Sequence, residues 1–454
     1  MEEKKSSKTK VIIIVIVLLL LIALAVFLIL RTSQSEVEKT ASIATIWLAS
    51  KSGRDDGSLN WDNVYEFISR ERRGFLRGMS DANFSVVINE TLLSENDAAP
   101  DITSALAETV NSDDILMAVG ASEDLPTMYA AMETDFFGIP MLIPFSDGDI
   151  ISDRSAGYTM RMTLNSNSFT DFIGNQLLPS SVPDWLNTTV FAGKPIPDDS
   201  VNTSIFFADN FNGHDMAVLI TQRLMDNGFD IDHYGPYQQN ELYTAFTNAW
   251  EDEGDTIGDS DVVIIIGYDQ DPMLELSNAV DLWKTRRGPE DQPLFLLLAY
   301  APTTLDPEIF KKDNVYVIRQ KLDLSECPAE IVNNDEAIAY AAGWITSTAI
   351  ERAAEKQQPE PLGWKLWFKT GDQKRQSHQD YLESYRNNIR SVLMEMNEYV
   401  PCYGTISFTS KLSDQAAVEL VHYTSDRQAE VLDSSRVFSY IYDMYRSRYG
   451  IIGE

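Results

Sequence analysis

Ile115-Leu-Met-Ala-Val-Gly120-Ala-Ser-Glu-Asp, a helix-like run Leu125–Thr134, Ile139-Pro-Met-Leu-Ile-Pro144-Phe-Ser-Asp-Gly148-Asp and Tyr158-Thr-Met-Arg161-Met-Thr follow one another within Asp114–Thr163. Two short apolar runs each end in small or polar residues, with a helical segment between them. A parallel βαβ unit has this pattern, because its strands are buried on both faces and read as continuous apolar stretches. The polar clusters then fall at the carboxyl ends of adjacent strands, the edge of an open α/β sheet where ligands bind.

The 454-residue chain is long enough for two domains with separate cores. Its formal charge of −33 excludes holding nucleic acid or an anionic membrane by bulk charge, and suits a solvated acidic surface. His214, His233, His378 and His422 are scattered, and with Cys327 and Cys402 they make no pair at metal-ligand spacing. No structural zinc and no cofactor are expected.

Lys4, Lys5, Lys8 and Lys10 precede Val11–Leu30, an apolar run without charge, Pro or Gly. Twenty residues in a helix span about 30 Å, the thickness of a bilayer's hydrocarbon core. A cleaved signal peptide has a shorter apolar region and a small-residue cleavage site, which Leu28-Ile-Leu-Arg31-Thr-Ser lacks. The reading is an uncleaved anchor with residues 1–10 cytoplasmic, 11–30 spanning, 31–40 a stalk and the remainder outside.

Further along, Ala41–Ser50 reads as a strand, a helix runs through Met79, Phe84–Ile88 is a strand and Asp101–Val110 a helix. After the opening stretch, Thr170–Leu178 is helical and Pro179–Asn202, with four prolines, reads as a long loop. A second βαβ series follows: strand Ser204–Phe207, turn Asp209–Gly213, helix Asp215–Asn227, a strand near Ile231–Tyr234, helix Glu241–Asp252, strand Asp261–Tyr268, helix Leu274–Thr285 and strand Pro293–Ala299. Asn314–Ile318 is a further strand, Asp335–Ala354 a helix, Gln357–Gln379 a polar insertion rich in Trp and Lys, and Ser391–Met396 a last helix.

The order of these pieces resembles the type I periplasmic solute-binding family, that of the branched-chain amino-acid and amide receptors. Gly120-Ala121-Ser122 and Pro140–Asp149 occupy the places of the family's Gly-Ser end and its "φPφφSPSAT" strand. Asp209–Gly213 resembles "DDxYGxG", Ile266-Gly-Tyr268 resembles "GGY", and Val400-Pro-Cys-Tyr-Gly-Thr-Ile-Ser-Phe408 resembles the family's crossing back into the second lobe. The resemblance covers roughly Ser42–Leu432. It implies an α/β fold of two Rossmann-like lobes with parallel sheets and a three-crossing hinge: 41–165 and 320–398 in lobe 1, 166–319 and 399–435 in lobe 2, and 436–454 a C-terminal tail.

The resemblance also implies a site. Ser122 and Ser146 match positions that hold a ligand carboxylate at helix N-termini, although Ser is a preferred helix cap in any case. Glu123, Asp147 and Asp149 would repel a carboxylate and attract an ammonium. Tyr268 and Phe211 match aromatic positions beside the ligand. Tyr300 falls where the family has an acid for the α-ammonium, a departure from a branched-chain amino-acid receptor. Cys327 and Cys402 both fall near the hinge by the same resemblance; outside the cytoplasm thiols that meet tend to oxidise to a disulfide, and the alternative is two buried, unpaired cysteines acting as small apolar residues.

The expected function is capture of a small polar ligand (an amino acid, amide or amine) for an ABC permease, in a protein held at the cell membrane by its N-terminal helix. A sensory or scaffolding ectodomain acting through a membrane partner keeps the same fold. An extracytoplasmic hydrolase is the third class. Against it, the chain has no G-x-S-x-G, no H-E-x-x-H and no G-x-x-x-x-G-K-[ST], and acidic runs such as Glu251-Asp252-Glu253 fall on solvated faces.

Overall fold

The computed structural model describes residues 39–48, 61–82, 86–95, 104, 106–109, 114–120, 124–146, 157–164, 166–191, 201–238, 241–253, 255–267, 273–288, 291–298, 312–331, 334–357, 369–408, 417–423 and 429–450. The anchor expected at Val11–Leu30 lies outside them. Among the described residues no helix is long and apolar enough to cross a membrane.

In lobe 1, β1 (Lys39–Leu48), β2 (Val86–Glu95), β3 (Met117–Gly120), β4 (Met141–Ile143) and β5 (Thr159–Arg161) form a five-stranded sheet in the order β2-β1-β3-β4-β5. Every pairing in it is parallel. Met117, Val119, Leu142 and Met160 point into one core and Ala44, Ile46, Ala118 and Met141 into another, so both faces are covered. That double burial is why these strands read as unbroken apolar runs. The opening βαβ reading holds, with α2 (Asp124–Phe136) between β3 and β4.

Helices α1 (Trp61–Asp81) and α9 (Asn334–Lys356) lie together on lobe 1. Their backbones meet at glycines: an added Cβ would stand 2.6 Å from Glu336 O at Gly74, 1.9 Å from Tyr340 O at Gly78 and 2.0 Å from Phe75 O at Gly343. No side chain fits in those gaps. Glycine costs helix propensity, and here the loss is offset by close packing that buries α9 from Asn334 to Ala353 on most of its surface.

Lobe 2 repeats the winding. After α3 (Ser166–Phe172) come β6 (Val201–Ala208), α5 (Phe211–Asp226), β7 (Phe229–Tyr237), α6 (Leu242–Glu253), α7 (Asp255–Gly258), β8 (Val262–Ile266), α8 (Met273–Arg287), β9 (Leu294–Leu298) and β10 (Val315–Gln320). The seven-stranded sheet has the order β14-β13-β10-β9-β8-β6-β7, with β13 (Val418–Tyr423) and β14 (Ala429–Leu432) added antiparallel. Its parallel part, β7-β6-β8-β9-β10, has the same order as lobe 1.

Three expectations need correction. The loop expected over Pro179–Asn202 contains α4 (Ser181–Thr189) and the start of β6; Pro183 lies in the first turn of α4, where its missing N–H is not needed. Residues 371–379 of the polar insertion expected over Gln357–Gln379 and residues 391–394 of the short helix expected at Ser391–Met396 belong to one 24-residue helix, α10 (Gly371–Met394), opened by a Thr370/Gln373 capping box. The segment read as a tail carries α11 (Ser434–Arg448).

Both late helices close the amino edge of a sheet. In lobe 1, α10 binds the segments leading into β3, β4 and β5: His378 Nε2 lies 2.8 Å from Asp114 Oδ2, Arg386 donates to Ile115 O (2.9 Å) and Phe137 O (3.3 Å), and Arg390 donates to Gly157 O. In lobe 2, Arg448 of α11 reaches Asp261 (2.5 Å) before β8 and Asp291 (3.0 Å) before β9, and Tyr445 donates to Asp261. Burial works against charge on Arg448, but the two carboxylates hold its pKa above the ordinary value.

At the start of α9 the Asp335 carboxyl is pushed up to about 7, by burial first and then by the charge of Glu336. The folded state therefore binds the extra proton between the ordinary carboxylate pKa and about 7, and stability falls as pH rises through that window. Asp335→Asn should flatten this slope and stabilise the protein at pH 8 by about 1–3 kcal/mol, as read by urea denaturation at several pH values. Gly78→Ala should destabilise by about 2–4 kcal/mol because the methyl group overlaps backbone. Gly371→Ala, with open space around it, should change stability by no more than about 1 kcal/mol in the same assay.

Candidate functional site

The chain passes between lobes at three places. β5 of the first sheet leads to α3, whose Phe169 and Phe172 lie in the lobe 2 core; β10 of the second sheet leads to α9 of lobe 1; and the third passage returns to β13. The hairpin of β11 (Asn397–Val400) and β12 (Gly404–Ser407) places Val400, Cys402, Tyr403, Ile406 and Phe408 in the lobe 1 core. The third passage therefore falls between Phe408 and Val418, not within Val400–Phe408.

The segments beside these passages are bonded to one another, mainly on the lobe 1 side. Cys327 and Cys402, 75 residues apart, form a disulfide with Cα atoms 4.7 Å apart. Asp323 N donates to Cys402 O at 2.9 Å, Lys321 N donates to Ala417 O at 2.8 Å, and Tyr403 OH donates to Met162 O. Cys402 has φ +73°, a conformation that only glycine adopts freely and that surrounding structure must enforce.

Two passages leave from the carboxyl ends of β5 and β10, so the carboxyl edges of the sheets flank the hinge, while α10 and α11 occupy the amino edges. α2 and α5, which follow β3 and β6 in the two lobes, are in contact. The candidate cleft lies there, at the points where strand order reverses in each sheet, between β1 and β3 and between β6 and β8.

On the lobe 1 side, Gly120 closes β3 with φ +122°; a Cβ would stand 1.9 Å from Ile46 O, so only glycine lets the strand end press on β1. Ser146 follows β4 and is buried, and Thr163 Oγ1 donates to its carbonyl at 2.8 Å. The buried guanidinium of Arg161 ends β5, in register with Ile143. Ser122, Glu123, Asp147 and Asp149 lie outside the described residues.

On the lobe 2 side, Phe211 begins α5, and Tyr268 and Tyr300 lie outside the described residues. Asn210 caps α5, its Oδ1 accepting from Gly213 N at 2.7 Å, and a Cβ on Gly213 would stand 2.1 Å from Ala208 O. Asp209 was not singled out from the sequence. Its Oδ1 lies 2.8 Å from His214 Nε2 and its Oδ2 accepts from Gln238 Nε2 at 2.5 Å, which fixes a partly exposed carboxylate at the end of β6. The signal was the turn Asp209-Asn-Phe-Asn-Gly213 itself, but the Gln238 contact depends on the β6–β7 pairing.

The pair of edges offers backbone N–H groups at helix starts and a buried cation in lobe 1, and an oriented carboxylate in lobe 2. Among the described residues no group of three His, Cys, Asp or Glu side chains is arranged to hold a metal ion. A separate open groove of about 570 Å³, lined by Trp185, Phe438, Tyr442 and serines of α11, lies on the outer side of lobe 2.

No family model and no curated protein matches the chain. Solved structures do match. A leucine-binding protein LivK from Thermotoga maritima MSB8 has 12% identity and a TM-score of 0.54 over 86% of this chain and 97% of its own. An amino acid ABC transporter substrate-binding protein from Pseudomonas fluorescens Pf-5 has 12% identity and a TM-score of 0.60 over 87% and 95%. A solute-binding protein of an ABC transporter from R. palustris, in complex with 4-hydroxybenzoate, has 10% identity and a TM-score of 0.60 over 87% and 96%. The likeness is one of fold, and the fold is that of type I periplasmic binding proteins.

The disulfide makes a direct prediction. Replacing Cys327 and Cys402 together by Ser should lower stability by about 2–5 kcal/mol in urea denaturation. Mass spectrometry of the unreduced wild type should recover the 327/402 peptides as a linked pair; free thiols at both positions after unfolding would contradict the bond.

Proposed function

We propose that this chain is a membrane-tethered extracytoplasmic solute-binding protein. It closes two lobes on a small polar ligand (an amino acid, amide or amine) and delivers it to an ABC permease, without catalysis. The observation that carries the reading is the pair of equally wound sheets joined by three chain passages, with the helices that follow β3 and β6 in contact between them. Two lobes so joined can rotate about the crossings and enclose a ligand. Solved proteins of this fold are described as binding leucine, isoleucine or 4-hydroxybenzoate, which supports a ligand of that size.

In this reading Ser122 and Ser146 hold the ligand's anionic group at helix starts, with Arg161 buried nearby as a favourable charge. Glu123, Asp147 and Asp149 at the rim favour a cationic group, and Phe211, Tyr268 and Tyr300 cover the ligand from lobe 2. Val11–Leu30 supplies the tether.

A ligand is found first, as a small polar compound that raises the melting temperature. Ser122→Ala, Ser146→Ala and Tyr268→Ala should then each weaken its binding by about 1–3 kcal/mol by calorimetry, with little change in the unliganded melting temperature. Wild-type affinity in all three variants removes the site. For the tether, the protein should stay in the membrane fraction after a salt wash with its N-terminus at or near Met1; a mature start beyond Arg31 contradicts it.

A further inference from the structure

The register of lobe 1 shows which of its surfaces the tether holds near the bilayer. Ile43 is level with Met117, and Leu116 N donates to Ser42 O, so Asp114 stands level with Thr40, one residue from the start of β1. His378 of α10 bonds that same Asp114, whereas Arg390, three turns further on, bonds the segment before β5. The helix thus runs along the amino edge from β3 toward β5. Its first two turns extend the opposite way, to the side where β1 begins.

Those turns are not packed into the lobe 1 core formed by the described residues. Residues 369–376 are all exposed, and they carry Lys369, Lys374 and Arg375 against one acid, Asp372, in a chain of net charge −33. Asp372 pairs with Arg375 at 2.9 Å and Lys369 bonds Ser377, and all three cations lie at the surface. The sequence leading into this helix, Trp364-Lys365-Leu366-Trp367-Phe368, has the Trp and Lys composition found at membrane–water interfaces.

We propose that the exposed start of α10 is the surface on which lobe 1 rests against the lipid headgroups of the bilayer that holds Val11–Leu30. The proposal rests on the tether reading. Residues 31–38 between the span and β1 can reach at most about 28 Å, so the amino edge of lobe 1 is confined within that distance of the membrane. Confinement supplies the effective concentration, and a weak contact then suffices to choose an orientation. Most of this acidic surface is repelled by phosphate-rich headgroups, while a local excess of cations is attracted to them. The occupant that this chemistry fits is an anionic lipid surface. The cleft, at the carboxyl edge, then opens one lobe's height away from the bilayer.

The test uses the full chain in phosphatidylcholine vesicles with or without phosphatidylglycerol. A fluorophore placed through Gln373→Cys reports α10, and one placed through Met225→Cys reports the far end of lobe 2; a headgroup spin-labelled lipid is the quencher. Quenching should be strong at position 373 and weak at 225 when phosphatidylglycerol is present. Lys374→Glu combined with Arg375→Glu should lower the lipid-proximal population about tenfold or more in those vesicles and change it little in phosphatidylcholine alone. Equal quenching at both positions in protein that floats with the vesicles overturns the orientation and leaves the tether intact. Quenching at 373 that ignores the charge reversal overturns headgroup recognition. Protein that fails to float overturns the tether, and this proposal with it.

Discussion

Three chain passages joined to one another set the position of everything else in this molecule. On the lobe 1 side of these passages Tyr403 donates to Met162 O, and Cys402 holds Cys327 through the disulfide and Asp323 through its carbonyl, while Lys321 N donates to Ala417 O between the second and third. These bonds fix where the two lobes join, and with it how the helices that follow β3 and β6 come to touch. The left-handed backbone at Cys402 is the local expense of that arrangement, enforced by the bonds on either side of it.

The two lobes solve the same problem in the same way. A parallel sheet exposes backbone groups at both edges, and a ligand cleft needs the carboxyl edge free. Each lobe closes its amino edge with a late helix whose side chains reach the segments entering the strands: His378, Arg386 and Arg390 in α10, and Arg448 in α11. Asp261 is buried and Arg448 partly so, and in that setting a paired charge is tolerated where a single one would be strongly destabilising.

The strands and the helices between them were legible because double burial leaves a continuous apolar run, and because α1, α5 and α9 carry their apolar residues at helical spacing. α10 was misread for a physical reason. Its buried residues are Tyr385, Ile389, Val392 and Leu393, all in its second half, so its first half is solvated and looks like a polar loop. α11 has the same spacing in Val437, Ile441, Met444 and Tyr445, hidden in a segment taken for a tail. α4 was obscured by counting prolines without asking where in a helix each one falls.

The amino-acid sequence by itself determined the α/β class and the succession of strands and helices along the chain, because period and strand-end glycines are local properties; the lobes and the place of the two cysteines near the hinge came from the family resemblance. The sequence also marked both carboxyl edges through Gly120-Ala-Ser122 and Asp209–Gly213. Only the tertiary structure decided that Asp209 meets Gln238, that Arg161 is buried behind β5, that Gly74, Gly78 and Gly343 let two helices touch backbone to backbone, and that α10 and α11 cover the amino edges. Each of these joins residues from different elements, and such a contact is set by how sheets and helices pack, which no local pattern along the chain records.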